Sequence, residues 1–92
     1  MFTGIIQEVG IVKSAKSLNG GGMEFEIACS FSATCHEDES ISINGACHTV
    51  TAFDEQTFTV QSVEETLRKT SMGDLEKGAL VNLERSLTLQ KG

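Results

Sequence analysis

Both histidines of the chain directly follow a cysteine, in the dipeptides Cys35-His36 and Cys47-His48. Thiolate sulfur and imidazole nitrogen bind zinc, and a thiol beside an imidazole can also serve as a nucleophile. Neighbouring residues on a strand point to opposite faces, so Cys47 and His48 cannot both reach one ion without a bulge. The usual spacing of about two to four residues between zinc ligands is also missing. We therefore expect no metal site, while an approach of His36 to Cys47 from another segment stays open.

Cys47 begins a strip of small polar side chains that continues to Thr49 and Thr51 on one face of a predicted strand. Core packing favours branched apolar side chains at such positions, whereas a flat, heteroatom-rich ligand needs a few fixed hydrogen bonds beside apolar walls. For Cys47 a ligand-binding role and a small buried side chain are both open. For Cys29 and Cys35 we expect burial, because a free cysteine usually behaves as a small apolar residue.

Ser62 and Glu65 have capping-box spacing at the start of a predicted helix over residues 64–71. Acidic residues at its start and basic residues near its end suit the helix dipole. A helix start also offers unpaired backbone N–H groups to a carbonyl-bearing or anionic ligand. Residues 62–66 are therefore interpreted either as a simple cap or as part of a ligand site. The acidic run at 37–39 lacks the ligand spacing of a calcium loop and is predicted to be a solvated loop.

Strands must position these residues, because six segments show two-residue alternation or an excess of β-branched residues. The predicted strands are 4–14, 23–31, 40–43, 46–53, 57–63 and 79–84. In the first of them we predict that Ile5, Val9 and Ile11 face the core. Turn signals at residues 19–22, at Asn44-Gly45 and at 54–56 separate neighbouring strands. The short, fairly even spacing predicts an all-β fold, a six-stranded antiparallel β-barrel with one short helix.

Length and composition exclude several other classes of protein. With 92 residues, of which 39% are hydrophobic, the chain can fill one core. The net charge of −6 and the absence of Trp and Tyr argue against nucleic-acid binding. No apolar run approaches the roughly 18 residues of a membrane span, and residues 1–25 lack a signal-peptide pattern. Three cysteines, an odd number, then predict free thiols in a reducing cytoplasm.

Four parts of the chain resemble the riboflavin synthase family, in the family's order and spacing. They are Met1-Phe2-Thr3-Gly4-Ile5-Ile6, Asn44-Gly45-Ala46-Cys47-His48-Thr49-Val50, Glu65-Thr66-Leu67-Arg68, and Gly73-Asp74-Leu75 with Gly78 and Val81-Asn82-Leu83-Glu84-Arg85. The resemblance covers nearly all of the chain and corresponds to the N-terminal half of the family. It implies a Greek-key β-barrel that binds one lumazine over residues 1–92, with 87–92 as a tail. An excised domain is the expected origin, and a naturally short relative stays open.

The resemblance also implies a reaction. In this family two molecules of 6,7-dimethyl-8-ribityllumazine exchange a four-carbon unit, which gives riboflavin and a ribitylaminopyrimidinedione without a metal or redox cofactor. The family forms homotrimers in which barrels of neighbouring subunits meet. Since the reaction stacks two ligands, a lone barrel is expected to bind ligand with little turnover and to pair as a homodimer. The alternatives are a non-catalytic lumazine- or flavin-binding protein of the same fold and a β-barrel interaction domain.

By position, the resemblance assigns the ligand pocket to three segments. They comprise Gly4, Ile5 and Ile6, then Cys47, His48 and Thr49, and finally Gln61, Ser62, Val63, Glu64, Glu65 and Thr66. Thr49 and the backbone near Gly4 and Ile6 would contact polar ring atoms, and Glu65 and Thr66 would contact ribityl hydroxyls.

The same comparison gives three catalytic candidates, Phe2, Thr3 and Cys47. Phe2 and Thr3 belong to the amino-terminal segment that the family places near the reacting ligand, and Cys47 stands at a family cysteine. His48 departs from the pattern, because many members of the family carry Leu there. It is interpreted either as a surface residue or as a group that adjusts the Cys47 thiol.

Overall fold

The computed structural model describes residues 8–86. Within this range six strands and one α-helix follow one another along the chain. They are β1 (Glu8–Ser17), β2 (Met23–Ala28), β3 (Ser40–Ile43), β4 (Ala46–Phe53), β5 (Thr57–Ser62), α1 (Glu64–Lys69) and β6 (Leu80–Arg85). Short 3₁₀ turns at Ser32–Thr34 and Ser71–Asp74 complete the connections.

The strands form a closed antiparallel barrel in the order β1-β2-β5-β4-β3-β6. Strands β3, β4 and β5 are sequential neighbours, and β2 lies beside β5, which gives the connectivity of a Greek key. The prediction of a six-stranded antiparallel β-barrel with one short helix is confirmed. Closure leaves no open sheet edge in this barrel, so its strands are protected from pairing with other chains.

Inward-facing residues of the six strands fill the barrel. The two largest fully buried side chains are Phe25 and Phe58, and the ring of Phe58 stacks at 6.2 Å on the half-buried Phe31. The other core side chains are Val12, Ile27, Cys35, Ile41, Ile43, Val50, Val60, Met72, Val81 and Leu83. The alternation predicted for the last strand is confirmed, because Val81 and Leu83 are buried while Leu80 and Asn82 are exposed.

The prediction of which residues of the first strand face the core is wrong. Val9 and Ile11 are 51% and 45% exposed, whereas Gly10 and Val12 are buried. Leu83 and Ile27 fill the space inside the barrel at Gly10: a Cβ there would lie 2.7 Å from Leu83 Cδ1 and 2.9 Å from Ile27 Cγ2. Periodicity alone predicts that the apolar residues Val9 and Ile11 face the core. The inward position between them is instead occupied by Gly10, because Leu83 and Ile27 leave no space there for a side chain. Ile5 lies outside the described residues.

A methyl group at position 10 tests this packing. We expect Gly10→Ala to lower the free energy of unfolding by about 1–3 kcal/mol, because overpacking forces neighbouring side chains or backbone to shift. Urea denaturation followed by circular dichroism measures the loss, with the exposed Lys13→Ala on the same strand as the control. An unchanged denaturation midpoint for Gly10→Ala would show that the interior has room at this position.

Turn chemistry and strand ends agree with the sequence in part. Asn44 and Gly45 have φ angles of 51° and 87°, the left-handed pair that a tight hairpin between β3 and β4 requires. The predicted strand 23–31 is three residues too long, because the chain leaves the sheet after Ala28. Cys29 is therefore half-buried outside the strand, with its Sγ 3.3 Å from Ser32 Oγ, rather than a core residue.

Arg85, at the end of β6, joins three segments. Its Nε donates to Glu39 Oε2 at 2.6 Å and its Nη2 donates to Glu39 Oε1 at 3.0 Å. Nη1 donates to Thr34 Oγ1 at 2.8 Å, and the guanidinium lies 4.8 Å from the ring centre of Phe31. The bonds to Glu39 raise the pKa of Arg85 further, so this cation is permanent. We call Arg85, Glu39, Thr34 and Phe31 the arginine clamp.

Candidate functional site

Two clefts flank α1, and we name them for their walls. The helix cleft has a volume of about 380 Å³ and lies between the start of β4 and α1. Its lining residues are Ala46, Cys47, Glu65, Thr66, Lys69 and Thr70. The hairpin cleft has a volume of about 220 Å³ and lies between the β1–β2 turn and the end of β5. Its lining residues are Leu18, Asn19, Gly20, Gly22, Gln61, Ser62, Val63 and Glu64.

Seven of the predicted pocket residues line one or the other of these two clefts, whereas His48 and Thr49 line neither. Cys47 meets Glu65 and Thr66, which follow it by 18 and 19 residues in the chain, in the helix cleft. The preceding segment, 61–64, lines the hairpin cleft instead. Phe2, Thr3, Gly4, Ile5 and Ile6 lie outside the described residues.

Strand alternation explains how β4 presents its side chains. Cys47 and Thr49 are exposed on the outer face, while His48 and Val50 point inward and are 4% and 1% exposed. The predicted polar strip therefore lies on the outside of the barrel, and Cys47 is not a buried core residue. Thr49 stands opposite Ser40 of β3 and does not line either of the two clefts.

The predicted capping box is wrong. The residue before α1 is Val63, and α1 has no side-chain cap. Ser62 is the last residue of β5 and is 2% exposed, so its hydroxyl points into the barrel rather than toward the helix. Glu65 instead accepts a hydrogen bond of 2.8 Å from Lys69 Nζ, one helical turn later. The helix ends at Lys69, two residues earlier than predicted, because Thr70 has an extended backbone.

Ser62 bonds to His48, whose ring is buried between the two clefts. His48 Nδ1 lies 2.8 Å from the carbonyl oxygen of Ala46, and Nε2 is hydrogen-bonded to Ser62 Oγ. A carbonyl can only accept, so Nδ1 carries the proton and Nε2 accepts from the Ser62 hydroxyl. Burial lowers the pKa of His48, and the bond to Ala46 opposes this only in part. The imidazole is therefore neutral near pH 7. Both interpretations of His48 from the sequence are wrong, because the residue is buried rather than on the surface and both its ring nitrogens contact partners other than Cys47.

The cysteines differ sharply in environment. Cys35 is buried, as predicted, and burial together with the nearby Glu39 raises its pKa to about 11. Burial also raises the pKa of Cys29, whereas Cys47 is exposed. His36 is exposed beside Glu39, and no hydrogen bond joins it to Cys47 in the described range. Among residues 8–86, no three His, Cys, Asp or Glu residues form a group that could hold a metal ion.

Sequence reasoning missed the remaining walls of both clefts. Lys69 and Thr70 lie four residues after Glu65 and Thr66, a spacing that places side chains on one helix face and could have indicated them. No spacing in the sequence indicates that Ala46 and the β1–β2 turn line these clefts, because only the closed barrel brings them beside α1. No helix of residues 8–86 is long and apolar enough to cross a membrane.

Over residues 8–86 the chain has the architecture of a small Greek-key β-barrel domain, with one helix and a small cleft on either side of it. The family model of the lumazine binding domain matches residues 3–86. The chain therefore belongs to the lumazine-binding domain family.

Curated relatives are riboflavin synthases. The chain is 47% identical over 88 residues to riboflavin synthase of Bacillus subtilis (strain 168), a match that covers 95% of this chain and 40% of that protein. It is 43% identical over 89 residues to riboflavin synthase of Schizosaccharomyces pombe, covering 95% and 42%. The chain thus spans about 40% of the length of these relatives.

Solved structures have the same fold. The crystal structure of LumP complexed with riboflavin matches with a TM-score of 0.82 at 26% identity, over 95% of this chain and 47% of that one. LumP complexed with 6,7-dimethyl-8-(1'-D-ribityl) lumazine matches with a TM-score of 0.83 at 23% identity, over 91% and 48%. In both comparisons the chain corresponds to about half of the larger protein.

Proposed function

We propose that this chain binds 6,7-dimethyl-8-ribityllumazine and riboflavin in the helix cleft, as the N-terminal barrel of a riboflavin synthase. The observation that carries the proposal is the meeting of Cys47 with Glu65 and Thr66 in one cleft of about 380 Å³. This volume is within the range of small-molecule pockets, about 300–1,000 Å³. The same three residues lie in the segments of the sequence that resemble the riboflavin synthase family, and the LumP structures are complexes with riboflavin and with ribityllumazine.

Each wall of the cleft has a role in this proposal. The carboxylate of Glu65 accepts hydrogen bonds from ribityl hydroxyls, and the Thr66 hydroxyl bonds to a further one. Lys69, already paired with Glu65, holds that carboxylate in place. Ala46 and Cys47 contact the ring at the start of β4. Thr49 lies outside the cleft, two residues beyond Cys47 on the same outer face of β4, and is proposed to bond polar ring atoms that extend past the cleft. The backbone near Gly4 and Ile6 is proposed to bond the other polar ring atoms.

The reaction that we propose for the whole enzyme is the lumazine dismutation. One lumazine loses a proton from its 7-methyl group, and hydrogen-bond donors around the ring stabilise the resulting anion. A second lumazine donates a four-carbon unit, so that the products are riboflavin and a ribitylaminopyrimidinedione. Phe2, Thr3 and Cys47 are the proposed catalytic candidates. Riboflavin and lumazine act as product and substrate, and no metal or redox cofactor takes part.

Turnover requires two ligands held face to face, whereas one barrel holds one ligand. We therefore propose that the isolated chain forms a homodimer, binds one ligand per chain and turns over little substrate. Homotrimers are proposed for the full-length enzyme. The three free thiols support a location in the cytoplasm, a reducing compartment.

A non-catalytic carrier is the second candidate, since the solved neighbours are LumP complexes. The riboflavin synthases, however, are 37–47% identical to this chain, against 26% or less for LumP. We therefore favour the synthase. The two functions are separated by an assay of riboflavin formation from ribityllumazine by the chain together with a second barrel. A synthase forms riboflavin in this assay, whereas a carrier does not.

Titration with riboflavin tests the binding proposal. We expect saturable quenching of flavin fluorescence with one ligand per chain. Thr66→Val and Thr49→Val should each weaken binding by about 1–3 kcal/mol, because each removes a hydroxyl that partners the ligand. Thr59→Val, on the outer face of β5 away from both clefts, serves as the matched control. Absence of quenching by the folded wild-type chain would refute the proposed function, and an unchanged dissociation constant would exclude the threonine concerned.

A further inference from the structure

We propose that His48 is a positioning residue of the helix cleft, which ties the β4 wall of that cleft to the end of β5 and thereby sets the affinity for ligand. The inference rests on the proposed function, because the affinity concerned is that for riboflavin and ribityllumazine. It assigns a role to a buried polar pair, His48 and Ser62, that neither capping nor the proposed chemistry uses.

The geometry places the imidazole between the two sides of the site. On one side Nδ1 donates to the carbonyl of Ala46, which lines the helix cleft next to Cys47. On the other side Nε2 accepts from Ser62, which lines the hairpin cleft and is followed within three residues by Glu65. Both His48 and Ser62 are over 95% buried, so water does not compete for these bonds.

The two hydrogen bonds of His48 fix the distance between the start of β4 and the end of β5, which backbone pairing does not fix. The register between β4 and β5 extends from Phe53 to Val50, shifts by a bulge between Val50 and Ala52, and is not continued to His48. Beyond Val50, the hydrogen bond between His48 and Ser62 therefore connects the start of β4 to the end of β5. We call this contact, together with the bond from His48 to Ala46, the histidine bridge. Because Cys47 and Glu65 extend from those two ends, the length of the bridge sets the width of the helix cleft.

The proton on Nδ1 and the lone pair on Nε2 make the bridge directional. A protonated ring could no longer accept the Ser62 hydroxyl, and it would bury a cation. The residue opposite His48 on β3 is Ile41 and its partner on β5 is Ser62, and neither carries a charge that would offset this. The charged residue in the same cross-strand row is Arg85 of β6, opposite Ile41, a cation that is paired with Glu39. The titratable groups nearby in the chain, Cys47 on β4 and Glu64 and Glu65 on α1, are all exposed. Ligand should therefore favour the neutral ring.

The test uses riboflavin as the probe and three variants of the full chain. Ser62→Ala removes the hydroxyl, His48→Gln retains an acceptor at the end of the side chain, and Thr59→Ala on the outer face of β5 is the control. Dissociation constants are measured by fluorescence quenching at a temperature where circular dichroism finds every variant folded. A merely structural role would change the melting temperature without changing affinity among folded molecules.

We expect Ser62→Ala to bind riboflavin about fivefold more weakly than the wild type. His48→Gln should retain most of the wild-type affinity, and Thr59→Ala should match the wild type. Long-range ¹H–¹⁵N spectra should find the proton of His48 on Nδ1. By linkage, saturating riboflavin should lower the pKa of His48 measured in the same spectra. This measurement needs only the wild-type chain, so it decides the matter even if a variant fails to fold.

Wild-type affinity in Ser62→Ala, or a His48 pKa that riboflavin leaves unchanged, would overturn the positioning role and leave the proposed function intact. Failure of the wild-type chain to quench riboflavin is a different result. It would overturn the proposed function and, with it, this inference.

Discussion

Replacing Arg85 by methionine is expected to lower the free energy of unfolding by about 3–5 kcal/mol. The side chain of Glu39 is only 8% exposed and accepts two bonds from the guanidinium, at 2.6 Å and 3.0 Å. Without Arg85 this carboxylate remains buried and loses its cation. Urea denaturation measures the loss, and the folded state at the start is checked by near-ultraviolet circular dichroism.

Two further variants separate the clamp from a general charge effect. Lys69→Met removes an exposed ion pair with Glu65, and it should cost less than about 0.5 kcal/mol. Glu39→Leu combined with Arg85→Met should regain much of the loss, because no unpaired charge then remains buried. A loss below about 1 kcal/mol for Arg85→Met alone would show that Glu39 is solvated rather than held by the clamp.

The second large effect concerns the reactivity of the three thiols. At pH 8 we expect iodoacetamide to alkylate Cys47 more than about 100-fold faster than Cys35. Thiolate is the reactive form, and with a pKa of about 11 only about one Cys35 thiol in a thousand is ionised at this pH. Cys35 is also buried, whereas Cys47 is exposed.

Peptide mass spectrometry after timed alkylation measures each rate separately. Cys29 should react at an intermediate rate, since it is half-buried and its pKa is raised. Cys47→Ser should abolish the fast phase and leave the slow phases unchanged. Fast alkylation of Cys35 in the folded chain would contradict the core packing described for the barrel.

Local signals in the sequence predicted much of the fold. The alternation of β4 depends only on adjacent residues, so Cys47 and Thr49 were correctly separated from His48 and Val50. Asn44-Gly45 gave the hairpin because both residues tolerate positive φ. The ends of the later strands were predicted within one residue, since turn residues flank them closely.

Other features depend on neighbours distant in the chain. Gly10 faces the core because Leu83 and Ile27 already fill the space before it, and no local pattern reveals this. Ser62 matched a capping pattern, but its position as the last inward residue of β5 directed the hydroxyl to His48, 14 residues earlier. The motifs did predict the meeting of Cys47 with Glu65 and Thr66, whereas the separation of residues 61–64 into another cleft required the three-dimensional fold.

Occupation of the helix cleft by ligand can be measured at the exposed thiol in its wall. Alkylation of Cys47 is followed with and without riboflavin at a concentration that saturates fluorescence quenching, and Cys29 serves as the internal reference. A bound flavin in the helix cleft should slow Cys47 at least about tenfold and leave the Cys29 rate unchanged. An unchanged Cys47 rate in the saturated complex would mean that riboflavin binds elsewhere on the barrel.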